Sequence, residues 1–93
     1  MILTVDIGNS NIVLGGVDEE QILFEARLRT DPTKTSDEYC IDLKMILEVY
    51  GVKASDVEGS IIASVVPQVL NSMQTALKKL TGKTALVDAL REL

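Results

Sequence analysis

An apolar run that stops at a carboxylate opens the chain: Met1-Ile2-Leu3-Thr4-Val5-Asp6-Ile7-Gly8-Asn9-Ser10-Asn11. Small polar residues follow Gly8, and a second apolar run extends from Ile12 to Leu14. The pattern is a strand, a tight turn and a returning strand. Asp6 at the strand end suits a hydrated Mg²⁺, because hard cations take oxygen ligands and Mg²⁺ keeps most of its waters. Gly8 lets backbone approach a ligand closely. Asn9, Ser10 and Asn11 offer donors to phosphate oxygens. Together these residues point to a site for nucleotide phosphates. The same residues also fit an ordinary hairpin, since Gly-Asn and Asn-Ser are common turn pairs and a neighbouring Asp often bonds only turn amides. On this segment alone both readings stand.

The elements that follow surround that turn. Ile2–Ile7 reads as a buried strand and Asn11–Val17 as its partner. Polar Asp18-Glu19-Glu20-Gln21 leads into a third strand, Ile22–Thr30. Here Ile22, Phe24, Ala26 and Leu28 share one face and Leu23, Glu25, Arg27 and Arg29 the other, as in a strand with one wet side. Asp31-Pro32-Thr33-Lys34 breaks the pattern. Thr35 or Ser36 caps a helix, with Glu38 in capping-box spacing from Thr35. The helix is predicted to run to about Tyr50, with Tyr39, Leu43, Ile46, Leu47 and Tyr50 on its apolar face and Gly51 as its stop. Ser60–Val66 is β-branched and reads as a central strand. Pro67 opens a second helix, carrying Val69, Leu70, Met73, Ala76, Leu77 and Leu80 at helical spacing and ending at Gly82. Thr84–Val87 opens a last strand, or Asp88–Leu93 closes the chain as a short helix. The order is β-β-β-α-β-α-β, an α/β arrangement in which strand–helix–strand units imply parallel pairing on one side of a mixed sheet.

Composition narrows the function classes. Ninety-three residues suffice for one small domain. Hydrophobic residues make up 46% but aromatics only 3%, so the core is aliphatic. A formal charge of -5 disfavours nucleic acid as a partner. Cys40 is the only cysteine, which fits a reducing, cytoplasmic setting. There is no histidine, which excludes imidazole catalysis and the common zinc sets. No signal peptide or membrane span is expected.

The order of elements, with Asp6-Ile7-Gly8-Asn9-Ser10-Asn11 at the front, resembles the actin-like ATPase (ribonuclease H-like) superfamily. Within it the chain resembles type III pantothenate kinases, which begin with a strand running into Asp-x-Gly-Asn-(Thr/Ser)-Asn. Two further segments carry the resemblance. Arg27-x-Arg29-Thr30 followed by Thr35-Ser36-Asp37-Glu38-Tyr39 is similar to the family's Arg-x-x-Thr and Thr-x-Asp-Glu-Tyr. Ala63-Ser64-Val65-Val66-Pro67 is similar to its Ser-Val-Val-Pro junction. The resemblance implies transfer of the ATP γ-phosphate to the hydroxyl of pantothenate, the first step of coenzyme A synthesis. It also implies Mg²⁺, a monovalent cation (K⁺ or NH₄⁺) and a homodimer. Carried over, Asp6 faces the metal and its waters. Ile7, Gly8, Asn9, Ser10 and Asn11 line the phosphate loop, and Ile12 and Val13 extend the ATP-contacting segment through backbone.

The family's Gly-x-Asp-Arg motif, source of the catalytic Asp base, does not occur in these 93 residues. Residues 1–93 are therefore expected to be a single N-terminal domain, with the second domain and the base lying beyond Leu93, and to be inactive alone. Alternatives are a non-catalytic accessory factor of the same fold, or another actin-like small-molecule kinase. Gly82-Lys83-Thr84 invites a P-loop reading, but Leu77 stands where that motif needs glycine and the segment follows a helix, so a helix C-cap is expected. Asp37 and Glu38 are expected to oppose the helix dipole. Arg27 and Arg29 are assigned to the wet face, Tyr39 and Tyr50 to the core, and Cys40 to packing.

Overall fold

The alternation of the first three strands closes into a meander. The computed structural model describes residues 1–88. β1 (Ile2–Ile7) pairs antiparallel with β2 (Asn11–Asp18), which pairs antiparallel with β3 (Gln21–Arg29). Helix α1 (Ser36–Val49) and a short 3₁₀ turn (Ala54–Asp56) lead to β4 (Gly59–Ser64), which lies parallel to β1. Helix α2 (Pro67–Thr81) then leads to β5 (Leu86–Val87), parallel to β4. The sheet order is β3-β2-β1-β4-β5. This is the mixed α/β sheet expected of an actin-like ATPase domain.

Both helices pack on one sheet face. Leu3, Val5 and Ile7 of β1, Ile12 and Leu14 of β2, Phe24 of β3 and Ile62 of β4 form one cluster with Tyr39, Leu43 and Leu47 of α1 and Val69, Met73, Ala76 and Leu77 of α2. Burial of each Val, Leu, Ile, Phe or Met side chain among them contributes about 1.5–3 kcal/mol. The capping box forms as expected: Thr35 Oγ1 accepts from the Glu38 amide at 3.2 Å and Glu38 Oε1 accepts from the Thr35 amide at 3.0 Å. Gly82 caps α2 in the left-handed region (φ 75°), a conformation glycine takes without strain. Lys83 reaches back to the Val57 carbonyl at 3.0 Å, so Gly82-Lys83-Thr84 is a helix terminus and no phosphate loop. Lys79 and Asp37 join the two helices at 2.6 Å.

Several expectations need correction. Tyr50 is 47% exposed; its ring stacks on Phe24 at 4.8 Å and its hydroxyl donates to the Glu25 carbonyl, so it covers the rim of the core. Ile22 was grouped with the buried face of β3 but is 69% exposed. The β2–β3 register shifts between Gly16 and Val17, so Leu23 is skipped and Ile22 pairs with Val17, on the sheet face opposite to that of Phe24. Ile46, by contrast, packs half-buried against the core, as its place on the apolar face of α1 predicts. β4 ends at Ser64 rather than Val66, because the Ser64 hydroxyl accepts from the Val66 amide at 2.9 Å and turns the chain into α2. The 3₁₀ turn was not foreseen. β5 occupies two of the four residues assigned to a last strand. The alternative helix over Asp88–Leu93 falls almost wholly on residues 89–93, which lie outside the described residues.

Candidate functional site

β1 is the middle strand of five, and Asp6 is its penultimate residue. Because side chains alternate, Leu3, Val5 and Ile7 enter the core while Asp6 points to the sheet face that the helices leave open. Asp6 is half-buried there. In register, its neighbours on that face are Val13 on β2 and Ala63 on β4. Arg27 follows across β2, opposite Val13, so Asp6, Val13 and Arg27 form a row across the open face. Arg27 and Arg29 are both exposed, as expected for the wet side.

The turn after β1 is closed by the Gly8 amide donating to the Asn11 carbonyl at 2.9 Å. Among the described residues Glu19 is the one non-glycine with positive φ, so neither Asn9 nor Ser10 adopts the left-handed conformation of a type I′ hairpin. The type I′ and II′ turns are thereby excluded, and the connection is a four-residue loop, Gly8–Asn11, between the paired Ile7 and Ile12. Asn9, Ser10 and Asn11 are exposed, and Gly8 is half-buried. The Ile7 and Ile12 side chains are fully buried, so these two residues offer a ligand only backbone. Val13 is half-buried on the open face.

Two elements hold the turn. On one side the carboxyl ends of parallel β1 and β4 lie together: Ile7 pairs with Ser64, and the Val65 amide donates to the Ile7 carbonyl at 3.1 Å. Ligands of open α/β sheets bind outside the carboxyl ends of such strands. On the other side stands Thr30, at the end of β3. Its hydroxyl donates to the Gly8 carbonyl at 2.8 Å and its amide to the Ser10 carbonyl at 3.0 Å. Tyr39 anchors the next residue: its hydroxyl accepts from the Asp31 amide at 2.9 Å and donates to the Asp31 carbonyl at 2.8 Å. Neither residue was assigned to the site from sequence, although a hydroxyl ending an alternating strand was visible at position 30.

The loop beyond carries shifted charges. Asp31 is held below its usual carboxylate pKa, first by the Thr33 hydroxyl donating at 2.6 Å and then by the Thr33 amide. Lys34 is raised, chiefly by its 2.6 Å bond to Asp42. Among the described residues no group of three or more His, Cys, Asp or Glu is placed to hold a metal ion. A cation at Asp6 would therefore rely on one carboxylate, water and ligand phosphates, the usual manner of Mg²⁺.

A family profile for type III pantothenate kinase matches residues 2–91, nearly the whole chain. The chain belongs to the type III pantothenate kinase family. A type III pantothenate kinase of Finegoldia magna is 46% identical over 87 residues, which cover 94% of this chain and 33% of the relative. One of Halalkalibacterium halodurans is 36% identical over the same share of this chain and 34% of its own length. One of Bifidobacterium longum is 44% identical over 79 residues. The chain thus spans about a third of the length of these type III pantothenate kinases. The ROK hexokinase of Thermus thermophilus superposes with a TM-score of 0.67 at 14% identity, covering 94% of this chain and 32% of the hexokinase. That likeness establishes the actin-like fold.

Proposed function

We propose that this chain is the N-terminal, nucleotide-phosphate-binding domain of an ATP-dependent kinase that phosphorylates pantothenate to 4′-phosphopantothenate. The observation that carries the reading is the placement of the Asp6 carboxylate beside a turn that Thr30 braces and whose Asn9, Ser10 and Asn11 are exposed. Gly8 and the backbone of Ile7, Ile12 and Val13 complete the phosphate-facing segment. Asp6 would hold Mg²⁺ through water. The ion, when bound, neutralises phosphate charge. A monovalent cation, K⁺ or NH₄⁺, belongs to the same proposal.

Phosphoryl transfer depends on positioning and on charge neutralisation from several sides of the transferring group. The site described here supplies one side. A second domain carrying the Asp base supplies another, and a homodimer working in the cytoplasm completes the assembly. Membership of the family supports this reading. Among the described residues no helix is long and apolar enough to cross a membrane, and the charge of -5 does not favour nucleic acid.

The experiment is to add Mn²⁺·ATP to the ¹⁵N-labelled chain and map paramagnetic broadening. Broadening centred on Asp6–Asn11 is expected. Broadening that ignores this turn and gathers on the acidic helix surfaces overturns the assignment. In a coupled assay with ATP and pantothenate, the same 93 residues are expected to show no turnover. Loss of the base alone removes about 10²–10⁴ in rate.

A further inference from the structure

We infer that Thr30 is a positioning residue for the phosphate turn, acting through the backbone of Gly8 and Ser10; this rests on the reading that the turn receives phosphate. Thr30 is 8% exposed and makes two bonds to one turn: Oγ1 to the Gly8 carbonyl at 2.8 Å and N–H to the Ser10 carbonyl at 3.0 Å. The peptides concerned are trans, so each carbonyl and the N–H of the following residue point in opposite directions. Drawing the Gly8 and Ser10 carbonyls toward Thr30 turns the amides of Asn9 and Asn11 away from it. The two bonds thus fix the orientation of the Gly8–Asn9 and Ser10–Asn11 peptides, and with it the directions in which the Asn9 and Asn11 amides are presented.

The brace is itself anchored. Asp31 exchanges two hydrogen bonds with the hydroxyl of Tyr39, whose side chain is fully buried at the start of α1. The turn is therefore tied through Thr30 and Asp31 to the hydrophobic core. It is not left to the entropy of a four-residue loop. Only the hydroxyl of Thr30 is optional in this scheme, because its amide bond survives any substitution except proline. That makes the hydroxyl testable by itself.

Thr30→Val removes the hydroxyl at nearly constant shape, and Thr30→Ser restores it. Removing the hydroxyl leaves the Gly8 carbonyl without this partner. Because the turn must be held for phosphate to bind, Thr30→Val is expected to weaken Mg·ATP binding by about ten-fold. Thr30→Ser should stay within about three-fold of the parent, since the bond is kept. In the free chain the Gly8 carbonyl ¹³C shift should move in Thr30→Val and return in Thr30→Ser, with backbone order at Asn9 and Ser10 following it. A stability change alone would not move these signals selectively.

Equal Mg·ATP affinity in the parent and Thr30→Val overturns the proposal. If the parent chain itself ignores Mg·ATP, the phosphate reading fails separately, and the ligand-free spectra decide the role of Thr30: unchanged order at Asn9 and Ser10 overturns it, and a selective loss supports it. Should Thr30→Val fail to fold, Tyr39→Phe frees Asp31 while leaving the Thr30 hydroxyl in place. Reduced order at Thr30 and Ser10 in that variant supports the brace, and parent-like order there counts against it.

Discussion

Gly16 lies directly beneath the ring of Phe24, its partner across the β2–β3 ladder. A Cβ at position 16 would collide with two ring carbons of Phe24 and come within 2.9 Å of the Met1 methyl. Tyr50 stacks on the same ring at 4.8 Å with the planes 17° apart. The end of the hairpin is thus packed by a glycine, a phenylalanine and the last residue of α1's cap.

Gly16→Ala should therefore destabilise the domain, because the ring cannot retreat without losing Tyr50. Overpacking of a filled core costs about 1–3 kcal/mol. Urea unfolding followed by circular dichroism checks this. A change below about 0.5 kcal/mol, the size of an ordinary surface substitution, would contradict it.

Thr35→Ala removes one half of a reciprocal cap at the start of α1. A loss of about 1 kcal/mol is expected from the helix cap. The segment joining Thr30 to Tyr39 runs through this cap, so amide exchange at Ser36 and Asp37 should rise before exchange in α2 does. Uniform acceleration across both helices would show that the cap has no local role.

Asp31 gives the domain a specific acid dependence. Its carboxyl is held below the ordinary aspartate value, first by the Thr33 hydroxyl and then by the Thr33 amide. A group depressed in the folded state contributes stability above its unfolded pKa and loses it as pH falls through the folded value. The contribution should thus be intact above about pH 4, the ordinary carboxylate range, and fade below it. The Thr33 amide shift followed between acid and neutral pH should titrate with a midpoint below that of an ordinary aspartate, and Thr33→Val should move the Asp31 midpoint upward. A midpoint that stays put in Thr33→Val would contradict the assigned cause.

Much of this architecture was readable from residue order because its signals are local. Alternation in Leu3, Val5 and Ile7, the Thr35–Glu38 cap, Pro67 at the first position of α2 and Gly82 at its end each act within a few residues. All appear where expected. The misplacements share another origin. Ile22 alternates with Phe24 in sequence yet falls on the opposite face, because the ladder with β2 skips Leu23 at Gly16/Val17, a slip that depends on a different strand. Tyr50 keeps helical spacing yet ends at a rim, since Phe24 occupies the space beneath it. At the site, Asp6 and the turn were visible as a motif, and their chemistry follows from residue type. Thr30 was not assigned to the site, because its two acceptors lie 20 or more positions away and meet it only once β3 returns alongside β2.

The central claim is that Asp6 and the Gly8–Asn11 turn receive the phosphates of Mg·ATP. Amide-resolved NMR of the chain during a Mg·ATP titration tests it most directly. The account predicts saturable shifts concentrated at Gly8, Asn9, Ser10 and Asn11 that disappear in Asp6→Ala while the rest of the spectrum stays dispersed. A well-dispersed parent spectrum with no shift at the turn, or shifts that persist unchanged in Asp6→Ala, would contradict it.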